Sequence, residues 1–94
     1  MYREELDSFL RALPGINAKE LKSRISYWRA NGTRFCKLEG KASNSTIVFT
    51  DLHYTTAHHL LAESESDHEG RLKLRLINAR RVESAKALIL KRYR

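Results

Sequence analysis

A strict alternation of basic and apolar side chains runs through Arg71-Leu72-Lys73-Leu74-Arg75-Leu76. Successive side chains of a β-strand point to opposite faces, so this stretch predicts a strand with leucines on the core and a cationic face open to water or a ligand. Upstream, residues 34–39 and 46–50 are strand-like and flank a polar segment at 40–45, which is typical of a hairpin. The three segments together predict a small antiparallel sheet.

Helical periodicity dominates the first third of the chain. Apolar residues recur at helical spacing over residues 2–13, which predicts a first helix. Leu21, Ile25 and Trp28 fall on one narrow arc at about 100° per residue, so a second helix is predicted within residues 17–31. Two consecutive helices joined by a short turn form an αα-hairpin.

Two more helices complete the expected order. One begins at or after residues 51–54, a segment that suits either the end of a strand or the start of a helix and leaves both open. The other follows Asn78, a residue type favoured at N-caps, and turns Val82 and Ile89 toward the core. The expected fold is a single α+β domain over residues 1–94, in the order ααββαβα. It has a three-stranded antiparallel sheet, an N-terminal αα-hairpin and two further helices.

The large apolar side chains are expected to form the core. Those assigned to it are Phe9, Trp28, Phe35, Phe49 and Ile89. Tyr27 falls off the apolar arc of the second helix and is expected to be an exposed aromatic. A platform of stacking aromatics is therefore not predicted.

Length and composition restrict the class of protein. The chain has 94 residues and is 41% hydrophobic, enough for one small core. Its apolar runs are far shorter than the ~20 residues that cross a bilayer, so no membrane partner is expected. The N-terminus lacks the pattern of a secretory signal, and the single cysteine, Cys36, forms no internal disulfide. We therefore expect a cytoplasmic protein.

Positive charge is concentrated near the C-terminus. The chain has 18 basic and 11 acidic residues, and residues 71–94 contain nine of the basic residues against Glu83 alone. Clustered cations favour a polyanionic partner, DNA or RNA, because like charges on one side of a molecule add their potentials. Cations on alternate residues of the 71–76 strand would lie about 6.6 to 6.8 Å apart, close to the spacing of successive phosphates. The predicted nucleic-acid-binding residues are Arg71, Lys73, Arg75, Arg80, Arg81, Lys91, Arg92, Lys19, Lys22 and Arg29.

The turn after the first helix resembles a known DNA-binding motif. Residues 13–25 read LPGINAKELKSRI, and over residues 4–26 the chain resembles the helix-hairpin-helix motif of sequence-independent DNA-binding proteins. The resemblance implies that backbone amides at the start of the second helix hold a phosphate. Asn17 stands where the motif has its second glycine, and Leu21 stands where it has a small residue.

The sequence gives weaker support to other classes of function. No cofactor is expected, because the chain lacks a glycine-rich phosphate loop, and no metal, because His53 and His58 are five residues apart and there is one cysteine. The leading prediction is a non-enzymatic protein that contacts nucleic-acid phosphates, with no catalytic residue assigned. One alternative is an adaptor or inhibitor of the mobile-element type that binds an acidic surface of a protein partner. Another is a small endoribonuclease toxin with His53 as acid/base.

Overall fold

An antiparallel sheet with helices packed on one face forms the framework of the molecule. The computed structural model describes residues 2–41 and 44–93. Within these ranges there are six strands in the order β1-β2-β3-β4-β6-β5 and three α-helices. The elements are α1 (Tyr2–Arg11), β1 (Asn17–Leu21), β2 (Arg24–Trp28), β3 (Arg34–Glu39), β4 (Thr46–His53), α2 (Tyr54–Ala57), a 3₁₀ turn (His58–Leu60), β5 (Glu65–Ser66), β6 (Arg71–Arg75) and α3 (Ala79–Arg92).

One face of the sheet is covered by the helices and holds the core. Leu72 and Leu74 of β6 are fully buried there, beside their cross-strand partners Phe49 and Ile47 on β4. The predicted strand and its alternation are thus confirmed. The helices contribute Leu6, Leu10, Ala57, Val82, Ala85, Leu88 and Ile89 to the same cluster. Burial of this shared apolar surface holds the helices on the sheet.

The predicted αα-hairpin and three-stranded sheet are wrong. Residues 17–28 form a β1–β2 hairpin instead of a helix, and this hairpin, together with the short β5, enlarges the sheet from three strands to six. Along β2, Ile25 and Tyr27 are buried whereas Arg24 is exposed, which is the period of a strand. Leu21, expected on the apolar arc, is 38% exposed.

This change of period exchanges the positions of two aromatic residues. Tyr27, expected to be exposed, is 1% exposed in the core, where its hydroxyl donates a hydrogen bond to Asp7 of α1. Trp28, expected in the core, is half-buried on the opposite face of the sheet. A one-residue register shift opposite Trp28 buries both Phe35 and Cys36 on consecutive positions of β3.

The remaining elements follow the sequence more closely. The β3–β4 hairpin is present, and β4 runs to His53 before α2 begins at Tyr54, which resolves the open segment 51–54. The Asn78 side chain accepts a hydrogen bond from the Arg81 amide and caps α3, as expected. Phe35, Phe49 and Ile89 are buried as predicted, and Phe9 packs against the core while partly exposed. In the described part of the chain no helix has the length and apolar character needed to cross a membrane.

Candidate functional site

The sheet face opposite the helices is strongly basic, and we call it the outer face. Strand alternation and register place seven cationic side chains on it and two carboxylates, counting the described strands alone. The cations are Lys19, Arg24, Arg34, Lys37, Arg71, Lys73 and Arg75, and the carboxylates are Glu39 and Glu65. The outer face therefore produces a positive potential, which attracts anions.

One row of residues crosses the whole sheet. Lys19, Ser26, Lys37, Val48, Lys73 and Glu65 stand opposite one another on successive strands. Val48 is fully buried yet lies outside the core cluster, since it stands on the outer face between two lysines. The three lysines of this row are two strands apart, about 9.6 Å at a strand spacing of ~4.8 Å. The row places cations at regular intervals across the sheet.

Several outer-face cations lack a carboxylate partner. Among the described residues, no carboxylate forms an ion pair with Lys19, Arg24, Arg34 or Lys73. Lys37 and Arg75 are paired, with Nζ 3.0 Å from Glu39 and Nε 2.7 Å from Glu65. Because these four cations form no ion pair with a described carboxylate, their charged groups are available to an incoming anion.

The predicted α3 cations lie in the helical layer, away from the outer face. Arg80 and Arg81 both bind Glu63, at 2.9 and 3.2 Å. Lys91 is exposed beside an apolar groove between α3 and the 3₁₀ turn. The predicted cations of α3 and those of β6 therefore occupy different surfaces of the molecule.

A second ion-pair cluster ties Arg29 and Arg92 to one carboxylate. Asp51 Oδ2 is 3.1 Å from the Arg29 guanidinium and 2.6 Å from that of Arg92. The Arg29 guanidinium also lies 4.6 Å from the ring centre of Phe35. These two predicted binding residues join the end of β2, β4 and the C-terminal turn of α3, which is a structural role.

The other predicted residues are spread between the sheet and its turns. Arg71 donates from its guanidinium to the Thr50 carbonyl, and Lys22 is exposed in the β1–β2 turn. Of the ten predicted residues, Lys19, Arg71, Lys73 and Arg75 share the outer face. Sequence reasoning missed Arg24, Arg34, Lys37 and Trp28 on that face. The alternation of Arg24, Ser26 and Trp28 with buried Ile25 and Tyr27 was the signal that could have found them.

Cys36, Asp51 and His53, the expected acid/base of the ribonuclease alternative, lie in three different environments. Burial raises the pKa of Cys36 well above its ordinary value, and the nearby carboxylate of Asp51 acts in the same direction. Asp51 is held by two guanidinium groups, while His53 is exposed at the end of β4. Across residues 2–41 and 44–93 no group of three or more histidine, cysteine, aspartate or glutamate side chains is arranged to hold a metal ion.

Comparison with protein-family models, with curated proteins and with solved structures finds no match to this chain. The resemblance to the helix-hairpin-helix motif therefore stays a prediction from the sequence. The functional argument rests on the geometry of the outer face.

Proposed function

We propose that this chain binds nucleic acid by contacting the phosphate backbone with its outer face. The observation that carries the proposal is a group of four cations, Lys19, Arg24, Arg34 and Lys73, which form no ion pair with a described carboxylate and lie on the sheet face opposite the helices. Phosphate contacts release condensed counterions, which supplies most of the affinity of binding without sequence preference. The proposed activity needs no catalytic group, and we expect it to operate in the cytoplasm.

The outer face also offers one aromatic group. Trp28 is half-buried and stands opposite Arg34 on β3 and Asn17 on β1. Base stacking on an aromatic side chain favours unpaired bases, because stacked duplex bases present no free ring face. The arrangement therefore favours single-stranded DNA or RNA over a duplex.

The test is fluorescence anisotropy with labelled single-stranded DNA, single-stranded RNA and duplex DNA over a series of salt concentrations. Four phosphate contacts give a log–log salt slope of about −2.8 for a single strand, at ~0.7 per contact. The variant Lys19→Glu with Lys73→Glu should reduce the magnitude of that slope by about 1.4 and weaken binding to all three polymers.

The matched control reverses two cations of the helical layer, Arg80→Glu with Lys91→Glu. It changes the net charge by the same amount, and we expect it to keep the wild-type slope. A control that loses as much affinity as the outer-face variant would contradict the assignment of the surface. A wild-type chain with no binding tighter than ~10⁻⁴ M near physiological salt would contradict nucleic-acid binding itself and favour an acidic protein as the partner.

A further inference from the structure

A small depression opens on the outer face between β2, β3 and β4. Its wall includes Arg24, Ser26, Arg34, Lys37 and Thr50. The depression has a volume of about 20 Å³. Since a water molecule needs ~10 to 15 Å³, the depression has room for about one oxygen atom of a ligand, and the rest of that ligand would lie outside it.

One residue in the lining of this depression has an unsatisfied hydroxyl. Thr50 is 9% exposed, and its Oγ1 is buried without a hydrogen-bond partner among the described residues. Its carbonyl, by contrast, accepts from the Arg71 guanidinium. Buried polar groups are nearly always hydrogen-bonded in folded proteins, so the Thr50 hydroxyl requires a partner from outside the described chain.

The rest of the wall is rich in donors. Ser26 supplies a second hydroxyl, and the exposed guanidinium groups of Arg24 and Arg34 lack carboxylate partners among the described residues. The Lys37 side chain is only 12% exposed and lies 3.0 Å from Glu39, the neighbouring carboxylate on the same strand. Hydroxyls donate hydrogen bonds to the oxygens of an oxoanion, and cations neutralise its charge, so a depression lined by both suits an oxoanion.

We infer that the depression binds one phosphate group, with a single phosphate oxygen inside it and the others at its opening. Thr50 Oγ1 and the Ser26 hydroxyl donate hydrogen bonds to that oxygen. Arg24 and Arg34 neutralise the oxygens that remain at the opening. This inference rests on the proposed function when the phosphate belongs to a nucleic-acid backbone, and it also applies to a free phosphate.

The first experiment is a ¹⁵N–¹H NMR titration of the full chain with inorganic phosphate, with chloride adjusted to keep ionic strength constant. The wild-type chain should show saturable shifts of the Ser26, Arg34 and Thr50 amides. Thr50→Val preserves the shape of the side chain and removes its donor, so it should bind phosphate at least tenfold more weakly, the expected effect of one hydrogen bond to a charged group. Thr50→Ser keeps a hydroxyl and serves as the matched control.

Loss of binding in Thr50→Val with retention in Thr50→Ser supports the site. Ser26→Ala changes a partly exposed position and is a second test of the site. It should also weaken phosphate binding. Equal phosphate affinity in wild type and Thr50→Val, or shifts that never saturate in the wild type, would overturn the proposed phosphate site. Unsaturated shifts would mean that the hydroxyl is satisfied by water.

A parallel titration with a short oligothymidylate separates the two proposals. Salt-dependent oligonucleotide binding without phosphate-induced shifts at Thr50 would overturn the phosphate site and leave the proposed function standing. Saturable phosphate binding at Thr50 without oligonucleotide binding would support the site for a free phosphate and contradict the proposed function.

Discussion

Replacing Tyr27 by alanine should cost far more stability than replacing its neighbour Trp28. The Tyr27 ring is 1% exposed within the core, and its hydroxyl donates to Asp7 on α1. Trp28 lies on the outer face, half-buried and apart from the core cluster. In a helix over the same residues the order would be reversed, because Trp28 would share the apolar arc with Leu21 and Ile25.

The magnitude follows from the burial of each ring. Truncation of a buried aromatic to alanine costs ~3 to 5 kcal/mol, whereas a half-buried ring outside the core cluster should cost about 1 to 2 kcal/mol. For a domain of this size each kcal/mol shifts Tm by ~4 to 8 °C. Tyr27→Ala should therefore lower Tm by at least about 12 °C, and Trp28→Ala should lower it by less than about two thirds of the Tyr27→Ala shift.

The assays are thermal unfolding for Tm and urea unfolding for the free energy, both followed by far-UV circular dichroism, which does not depend on the tryptophan. Tyr27→Phe removes only the hydroxyl and should cost ~1 to 2 kcal/mol, so it gives a measurable value if Tyr27→Ala fails to fold. A Trp28→Ala variant at least as unstable as Tyr27→Ala would refute the strand register of β2.

Three further predictions concern single residues. Asp51→Asn removes the carboxylate that accepts from two guanidinium groups and should lower the free energy of unfolding by about 1 to 3 kcal/mol; an unchanged urea midpoint would contradict the role of this cluster. Cys36, 1% exposed with a pKa raised by burial, should react with a disulfide reagent only as fast as the protein unfolds, and reaction at the rate of a free thiol would contradict its burial. At Asp67, burial raises the pKa, but hydrogen bonds from two backbone amides outweigh it and lower the pKa below its ordinary value. Its stabilising contribution is thus complete above the unfolded value of ~3.9 and is lost as pH falls through the lower folded value. An NMR titration of this carboxyl with a midpoint at or above ~3.9 would contradict the hydrogen bonds.

The correctly predicted segments each contain, within their own residues, a pattern that indicates their secondary structure. The alternation of β6 fixes which side chains face the core, and the Asn78 cap marks the start of α3. Both patterns are specific to one period, so no distant contact is needed to interpret them.

The β1–β2 hairpin could not be predicted in this way. Leu21, Ile25 and Trp28 satisfy a helical spacing, while Ile25 and Tyr27 equally satisfy a strand, and the short segment does not decide between them. β1 lies at the edge of the sheet and buries no residue completely, so it lacks the apolar face that normally marks a strand. Its strand conformation depends on pairing with β2, a tertiary effect that overrides local propensity.

The outer face was found only in part for the same reason. Lys73 and Arg75 belong to a strand that its own alternation predicts. Arg24 lies on this face because residues 24–28 form a strand, and Arg34 lies there because of the register shift opposite Trp28. The sequence also does not indicate which cations form ion pairs with carboxylates. The pairs of Arg80 with Glu63 and of Arg92 with Asp51 span 17 and 41 residues.

The most direct test of the outer face as a nucleic-acid-binding surface uses the fluorescence of Trp28, the chain's single tryptophan. Titration with a single-stranded oligonucleotide should quench this emission to saturation, with the same Kd as anisotropy, and added salt should reverse the quenching. Oligonucleotide binding that leaves Trp28 emission unchanged would place the contact on another surface and contradict the account.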